Sequence, residues 1–323
     1  MANVLLSGLR GAKQLGQNFR SACRSLSSGQ LVEPGYVFGR KCFGPDYGVT
    51  TSVGQYGLPK SVDWRKVPWL KIPVKDQRGC GNCYIQASLV GIGSLHSIIT
   101  GINVELSSQH VLDANTITNS GCMGGTIPKV FDFVMRGGVV LESAYPYTGK
   151  RGFCQDIKAK GLTIEGWAQV APAEEALMYA VAHQPVAVGV AAGTEFENYQ
   201  YGVMNVPVDH GILNHAMLLI GYNATSWLLL NSWSEAWGIK GACRILRKSP
   251  NSDGSIGILS RAYLPLNPSF TTVRTRTESC PCYWSRTVRN LLERMVPRQI
   301  TEHFLPKFMA VDKCWITVSY LYA

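Results

Sequence analysis

Long apolar runs are scarce in this chain. No stretch reads as approaching the about 18 residues that a helix needs to cross a bilayer, so no integral membrane segment is expected, and the protein should be soluble. Cysteine is also sparse. Ten in 323 residues is too few for the disulfide scaffold of a small secreted domain. No C-x-x-C pair recurs at zinc-ribbon spacing, so no metal site is expected. Acidic residues are missing altogether from positions 1–32. The formal charge of +10 invites a nucleic-acid partner, but its distribution excludes one. Residues 1–57 hold six Lys/Arg against two Asp/Glu and residues 267–323 hold eight against four, which leaves +2 for residues 58–266. No basic stripe with interleaved aromatics crosses that middle segment.

Hydrophobic residues make up 46% of the chain, enough to fill a sizeable core. Residues 58–82 mix Pro, Gly and Lys with short apolar pieces and read as an extended entry. From Cys83 onward Ile85, Leu89, Ile92, Leu95 and then Ile98 or Ile99 recur at helical steps, and Gly101 ends the pattern. The opposite face is nearly uncharged, so this helix should be buried. Further helices are expected over 107–114, 128–135 and 172–182, the last with Glu174 and Glu175 in its first turn, where the dipole favours them. After Pro185 the period changes. Val186, Val188 and Val190 alternate, and 217–222, 227–231 and 243–246 form short β-rich runs. A helical first half and a β-rich second half imply an α+β protein of two lobes.

One stretch carries most of the chemistry: Gln77-Arg78-Gly79-Cys80-Gly81-Asn82-Cys83-Tyr84. Asn214-His215-Ala216 places a histidine 132 residues after Cys83, and Asn231-Ser232-Trp233 places an asparagine 148 residues after it. This fits C-G-x-C-[WY] followed by His and Asn about 130–150 residues on, with only Asn82 outside the usual Ser/Ala choice. Cys80 and Cys83 also form a C-x-x-C, but a redox motif has no use for His215 and Asn231.

On these residues the chain resembles the papain-like cysteine peptidase family (papain/cathepsin type). The likeness starts near Leu58-Pro59-Lys60-Ser61-Val62-Asp63-Trp64-Arg65. It continues through Pro73-Val74-Lys75-Asp76-Gln77, Gly121-Cys122-Met123-Gly124-Gly125 and Tyr145-Pro146-Tyr147, and ends near Ala262-Tyr263-Leu264-Pro265. The resemblance implies a papain-like two-lobe fold, with a helical left lobe, a β-barrel-like right lobe and the active-site cleft between them. The expected division is a basic extension over 1–57, a peptidase domain over 58–266 and a C-terminal extension over 267–323 to which no role is assigned.

The resemblance also implies roles. Cys83 is the expected nucleophile, His215 its acid–base partner, and Asn231 the residue that orients His215. The Gln77 amide and the Cys83 backbone N–H would hold the oxyanion. A thiol is mostly protonated at neutral pH, so Cys83 is expected to have a depressed pKa and His215 a raised one, giving an ion pair and a bell-shaped pH profile. Gly124, Gly125, Trp233 and Leu213 are the expected substrate-binding residues, with Val188 and Ile127 near the same wall. Since none of these is charged, a preference for apolar side chains before the scissile pair is expected. Cys80 and Cys122 match the family's disulfide partners. The implied partners are a peptide or protein substrate and inhibitors of the cystatin type, and no cofactor is implied.

Several positions depart from the family pattern. Gln86 puts an amide into a helix expected to be buried, Ser234 stands where the family has glycine after Asn-Ser-Trp, and Met123 replaces Asn. Ala114 stands at a family cysteine position, so Cys154 is expected to be unpaired, and a third bridge is missing at both ends. These departures keep open an alternative, a catalytically impaired relative retained as a peptide-binding or structural subunit. Arg10, Lys13, Arg20 and Arg24 lie opposite Leu5, Leu9, Leu15 and Phe19 on a helical wheel and resemble a mitochondrial transit peptide. The family implies lysosome, vacuole or secretion instead.

Overall fold

A computed structural model of the chain describes residues 58–115, 119–206 and 212–274, together with the backbone of two short strands, β1 (Tyr36–Val37) and β2 (Arg40–Phe43). The transit-type pattern of residues 1–32, His210, His303 and the Cys280, Cys282 and Cys314 tail lie outside the described residues.

β3 (Val62–Asp63) leads into α1 (Cys83–Thr100), followed by α2 (Ser108–Ala114) and α3 (Ile127–Gly137). Next come β4 (Val139–Val140), β5 (Lys158–Thr163), β6 (Gly166–Val170) and α4 (Glu174–His183). The remainder is β7 (Val186–Val190), α5 (Thr194–Glu197), β8 (His215–Tyr222), β9 (Ser226–Leu230), β10 (Ala242–Leu246), β11 (Ala262–Leu266) and β12 (Ser269–Arg274). The four expected helices and the four expected strands are present, with ends shifted by one or two residues.

The helix α1 ends where its pattern does. Gly101 adopts φ 76°, and its N–H returns to the Ser97 carbonyl at 2.8 Å, a left-handed cap that costs glycine little. Every residue from Tyr84 to Ser97 is buried. This helix corrects the reading of apolar runs: its 18 uncharged residues are long and apolar enough to cross a membrane, yet 78% of that stretch is buried within the protein. It is therefore the core helix of its lobe.

One antiparallel sheet runs β1-β2-β6-β11-β7-β8-β9-β10 among the described residues, with β3 added beside β8. Successive side chains point to opposite faces, and the two faces feed two cores. Ala187 of β7 and Ala216, Leu218 and Ile220 of β8 join Ile85, Leu89 and Ile92 of α1 and Val130, Phe131 and Val134 of α3. Val186, Val188, Val190, Met217 and Leu219 turn the other way, to Leu177 and Val181 of α4, Trp227, Leu229 and Ile245. Covering both faces explains why β8 is buried at all eight positions and reads as a continuous apolar run.

β5 and β12 carried no alternating signal. The segment Lys-Ala-Lys-Gly-Leu-Thr becomes a strand because it pairs with Ser269–Arg274 across about a hundred residues, with β4 on its other edge. That ladder, and the pairing of β2 with β6, use chain on both sides of 58–266.

The second helix of the first lobe hides a histidine. Ser107 caps α2, its Oγ accepting the His110 N–H at 2.9 Å. The His110 ring is buried between Phe133 and Tyr145. Its Nδ1 lies 3.4 Å from the Val140 N–H, and its Nε2 has no partner among the described residues. Burial pushes its pKa from 6.5 down to about 3. Between those values the unfolded chain binds a proton that the folded chain refuses. The stability His110 contributes is therefore whole above about pH 6.5 and is lost as the pH falls toward about 3. The variant His110→Asn keeps an acceptor near Nδ1 but cannot be charged. Its urea-derived stability should fall between pH 7 and pH 5 by about 2 kcal/mol less than that of the unsubstituted protein. Equal losses would show that His110 is not the titrating group.

Candidate active site

The loop before α1 is tied to both lobes. Cys80 and Cys122 form a disulfide with Cα atoms 4.6 Å apart, and the Gly81 N–H donates to the Cys122 carbonyl at 2.9 Å. On the other side the Gln77 N–H donates to the Ser232 carbonyl at 2.8 Å. Cys83 follows as the first residue of α1, a free, half-buried thiol. The backbone N–H groups of Ala216, from β8, and of Tyr84 and Cys83 lie near its sulfur and favour the thiolate. The last two belong to the first helical turn, where N–H groups have no intrahelical acceptor.

His215 opens β8, one residue before Ala216, and is buried. Its Nε2 lies 2.8 Å from Asn231 Oδ1, which also accepts the Ser232 N–H at 2.8 Å. The bond is roofed by aromatic rings. Trp233 lies 4.8 Å from the His215 ring, centroid to centroid, and Phe196 meets it edge-on at 5.9 Å. Trp237 packs against both, at 5.4 Å from Trp233 and 5.1 Å from Phe196.

This burial corrects the expected pKa directions. It pushes the Cys83 thiol up, against the pull of the nearby backbone N–H groups. It pushes His215 down, opposed by the bond to Asn231. Burial thus disfavours the charged form of each group taken singly. In an ion pair the two charges offset each other's burial, which couples the two titrations.

Gln77 is buried and doubly held. Its Oε1 accepts from Ser232 Oγ at 2.7 Å, and its Nε2 donates to the Cys80 carbonyl at 3.0 Å. The amide nitrogen keeps a second N–H. Sequence reading missed Ser232, Phe196 and Trp237. Ser232 lay within a quoted motif, but its only sign was a hydroxyl beside Asn231.

On the wall past Cys122, Gly124 adopts φ 108°, open to glycine alone. A Cβ on Gly125 would fall 2.4 Å from Asn119 Oδ1 and 2.6 Å from the Tyr84 ring. Leu213 is half-buried, two residues before His215. Val188 and Ile127 do not flank this space. Val188 faces the second core and Ile127 the first, both fully packed. His96 and His183 are packing residues, against Phe270 and Tyr179. Among the described residues no group of three or more His, Cys, Asp or Glu is arranged to hold a metal.

Three departures can now be placed. Cys154 is disulfide-bonded, which overturns the expectation that it is unpaired. Gln86 is buried, and its Oε1 has no partner among the described residues. Ser234 is held at φ 65°, left-handed backbone that costs a residue with a Cβ about 1–2 kcal/mol.

The family model described as "Papain family cysteine protease" matches residues 58–266. A cysteine endopeptidase of Oryza sativa subsp. japonica, Rep1, is 37% identical over 235 residues, covering 69% of this chain and 62% of that protein. Zingipain-2 of Zingiber officinale is 36% identical over 217 residues, 65% of this chain and 97% of its own length. The chain thus spans under two-thirds of the rice relative's length. Among solved structures, the bromelain protease of Ananas comosus, determined in complex with an inhibitor, superposes with a TM-score of 0.60 at 35% identity, covering 65% of this chain and 99% of that one.

Two outcomes follow from the site's physical chemistry. Ser234→Gly removes the left-handed penalty and should raise stability by about 1 kcal/mol, read as a higher urea midpoint; no change would mean that the strain is relieved elsewhere. In His215→Ala, Cys83 loses its proton acceptor while burial still raises its pKa. Iodoacetamide alkylation of Cys83 at pH 7 should then slow by about a hundredfold or more and recover only above the ordinary thiol range. Equally fast alkylation would show that His215 does not set the thiolate population.

Proposed function

The chain belongs to the papain family of cysteine proteases, and from that premise we propose that it is a cysteine-type endopeptidase acting through Cys83, His215, Asn231 and Gln77. One observation carries the reading: the backbone of Ala216, the residue joined to His215, lies against the Cys83 thiol and favours its thiolate, while the His215 ring is held by Asn231. Nucleophile, base and orienting amide therefore share one water-poor seam between the lobes.

The reaction begins as the Cys83 proton moves to His215 and the sulfur attacks the substrate carbonyl carbon. Charge developing on the carbonyl oxygen meets the Cys83 N–H and the second N–H of Gln77, donors already fixed in place. The His215 imidazolium then protonates the leaving amine, and the C–N bond breaks to leave a thioester on Cys83. A water loses its proton to His215 as it attacks the thioester, and Cys83 leaves with the carboxylic acid product formed. Asn231 keeps the Nε2–H bonded throughout, so the ring nitrogen facing Cys83 stays in one tautomer.

The alternative of an impaired binding subunit has less support than the sequence allowed. Cys154 is bridged after all, and the strain at Ser234 and the orphan oxygen of Gln86 bear on stability rather than on the reacting groups. The Cys80–Cys122 bridge supports an oxidising compartment, such as the vacuole or the exterior, over a reducing one. Peptide or protein substrates and cystatin-type inhibitors remain the proposed partners.

An epoxide inhibitor of thiol peptidases, added at neutral pH, should leave its adduct on Cys83 by mass spectrometry, and peptide substrates should be cleaved. Gln77→Ala should lower kcat by about 10²-fold or more, with a smaller change in KM. A folded protein with neither adduct nor cleavage would exclude the reading.

A further inference from the structure

Within this peptidase reading, on which the inference rests, the edge of the cleft holds a charge that the sequence did not reveal. The inter-lobe face of the sheet is marked by Ala187, Ala216, Leu218 and Tyr263, all in the core shared with α1. Gly189 lies opposite Ala216 in the β7–β8 register, and its position two residues after Ala187 puts it on that same face. Arg261 precedes β11 by one residue and Tyr263 by two, so alternation turns its side chain to this face as well. The Gly189 N–H donates to the Arg261 carbonyl at 2.7 Å, which holds the two side by side.

α1 covers this face up to Cys83, whose sulfur meets Ala216. Beyond that point Gly189 has no side chain. A Cβ built there would lie 3.2 Å from Arg261 Cβ and 3.3 Å from Leu213 Cδ1. The space above Gly189, beside the nucleophile, is therefore walled by an apolar side chain on one flank and by Arg261 on the other. Arg261 is exposed and has no ion pair or side-chain hydrogen bond among the described residues.

We propose that Arg261 is a specificity-determining residue that selects an acidic side chain, glutamate above all, one residue before the scissile pair. Leu213 accommodates the methylene groups of such a side chain, and the guanidinium fork pairs with its carboxylate in the bidentate manner open to arginine. A basic side chain would meet a like charge. The apolar preference read from Leu213 and its neighbours is thereby replaced, because the residue carrying the charge is distant in sequence.

The test compares fluorogenic peptides that differ only at this position, carrying Glu, Gln, Leu or Arg. The Glu peptide should exceed its Gln isostere in kcat/KM by about tenfold or more and the Arg peptide by a wider margin, and its lead should shrink as NaCl is raised. Arg261→Glu should invert the order of the Glu and Arg peptides, and Arg261→Gln should bring Glu and Gln together. The same peptides are also bound to Cys83→Ser protein and their Kd values measured by fluorescence anisotropy, so the preference can be read even if no hydrolysis occurs. Loss of cleavage with the Glu preference kept in binding would sink the peptidase reading alone. Glu and Gln peptides cleaved and bound alike, at low salt and in the unsubstituted protein, would overturn the role given to Arg261.

Discussion

The seating of α1 on β8 is the contact on which the rest of the molecule depends. Along this line the helix has no charge and the strand no solvent-facing side. Gly91 comes so close that a Cβ there would touch Leu218 at 3.3 Å. At the upper end the same contact brings the Cys83 sulfur to the Ala216 N–H. Buried apolar surface thus aligns a first-turn cysteine with the opening residue of a strand about 130 positions away. The catalytic geometry is the end of a packing interface.

That interface imposes an electrostatic constraint. A site made from the rim of a core is dry, and dryness disfavours the thiolate and the imidazolium taken singly. The fold answers with fixed dipoles: backbone N–H groups near the sulfur, Asn231 on the imidazole, and Gln77 oriented by Ser232. Phe196, Trp233 and Trp237 keep water from the histidine side. Burial weakens each charge alone and strengthens the attraction between the two, so the low dielectric that opposes separate ionisation favours the pair.

Two departures from the family pattern, at Ser234 and Gln86, fall away from the reacting atoms. Ser234 bears left-handed strain next to Trp233, and Gln86 leaves one buried oxygen without a partner among the described residues. Both lower stability without displacing Cys83, His215, Asn231 or Gln77. Arg261 differs in kind. It adds a charge that has no ion-pair partner among the described residues, at the edge of the cleft, where a substrate can supply the counter-charge.

What the sequence determined by itself was whatever lies within a few residues of its own signal or within one spaced motif. The helix from Cys83 to its glycine stop, the alternation of β7, the two-lobed α+β division and the spacing of Cys83, His215 and Asn231 are all of this kind. A helical period or a cap is set by neighbours within about one turn. The polar strand β5 was not legible, since its order comes from β12, about a hundred residues away. Nor was the bridge at Cys154, the grip of Ser232 on Gln77, or the pKa directions that burial imposes on Cys83 and His215. Only the tertiary structure could decide that Arg261 and Leu213 flank the same glycine. The β7–β8 and β7–β11 registers choose which side chains share a face, and a slip of one residue in either would turn that charge away from the cleft.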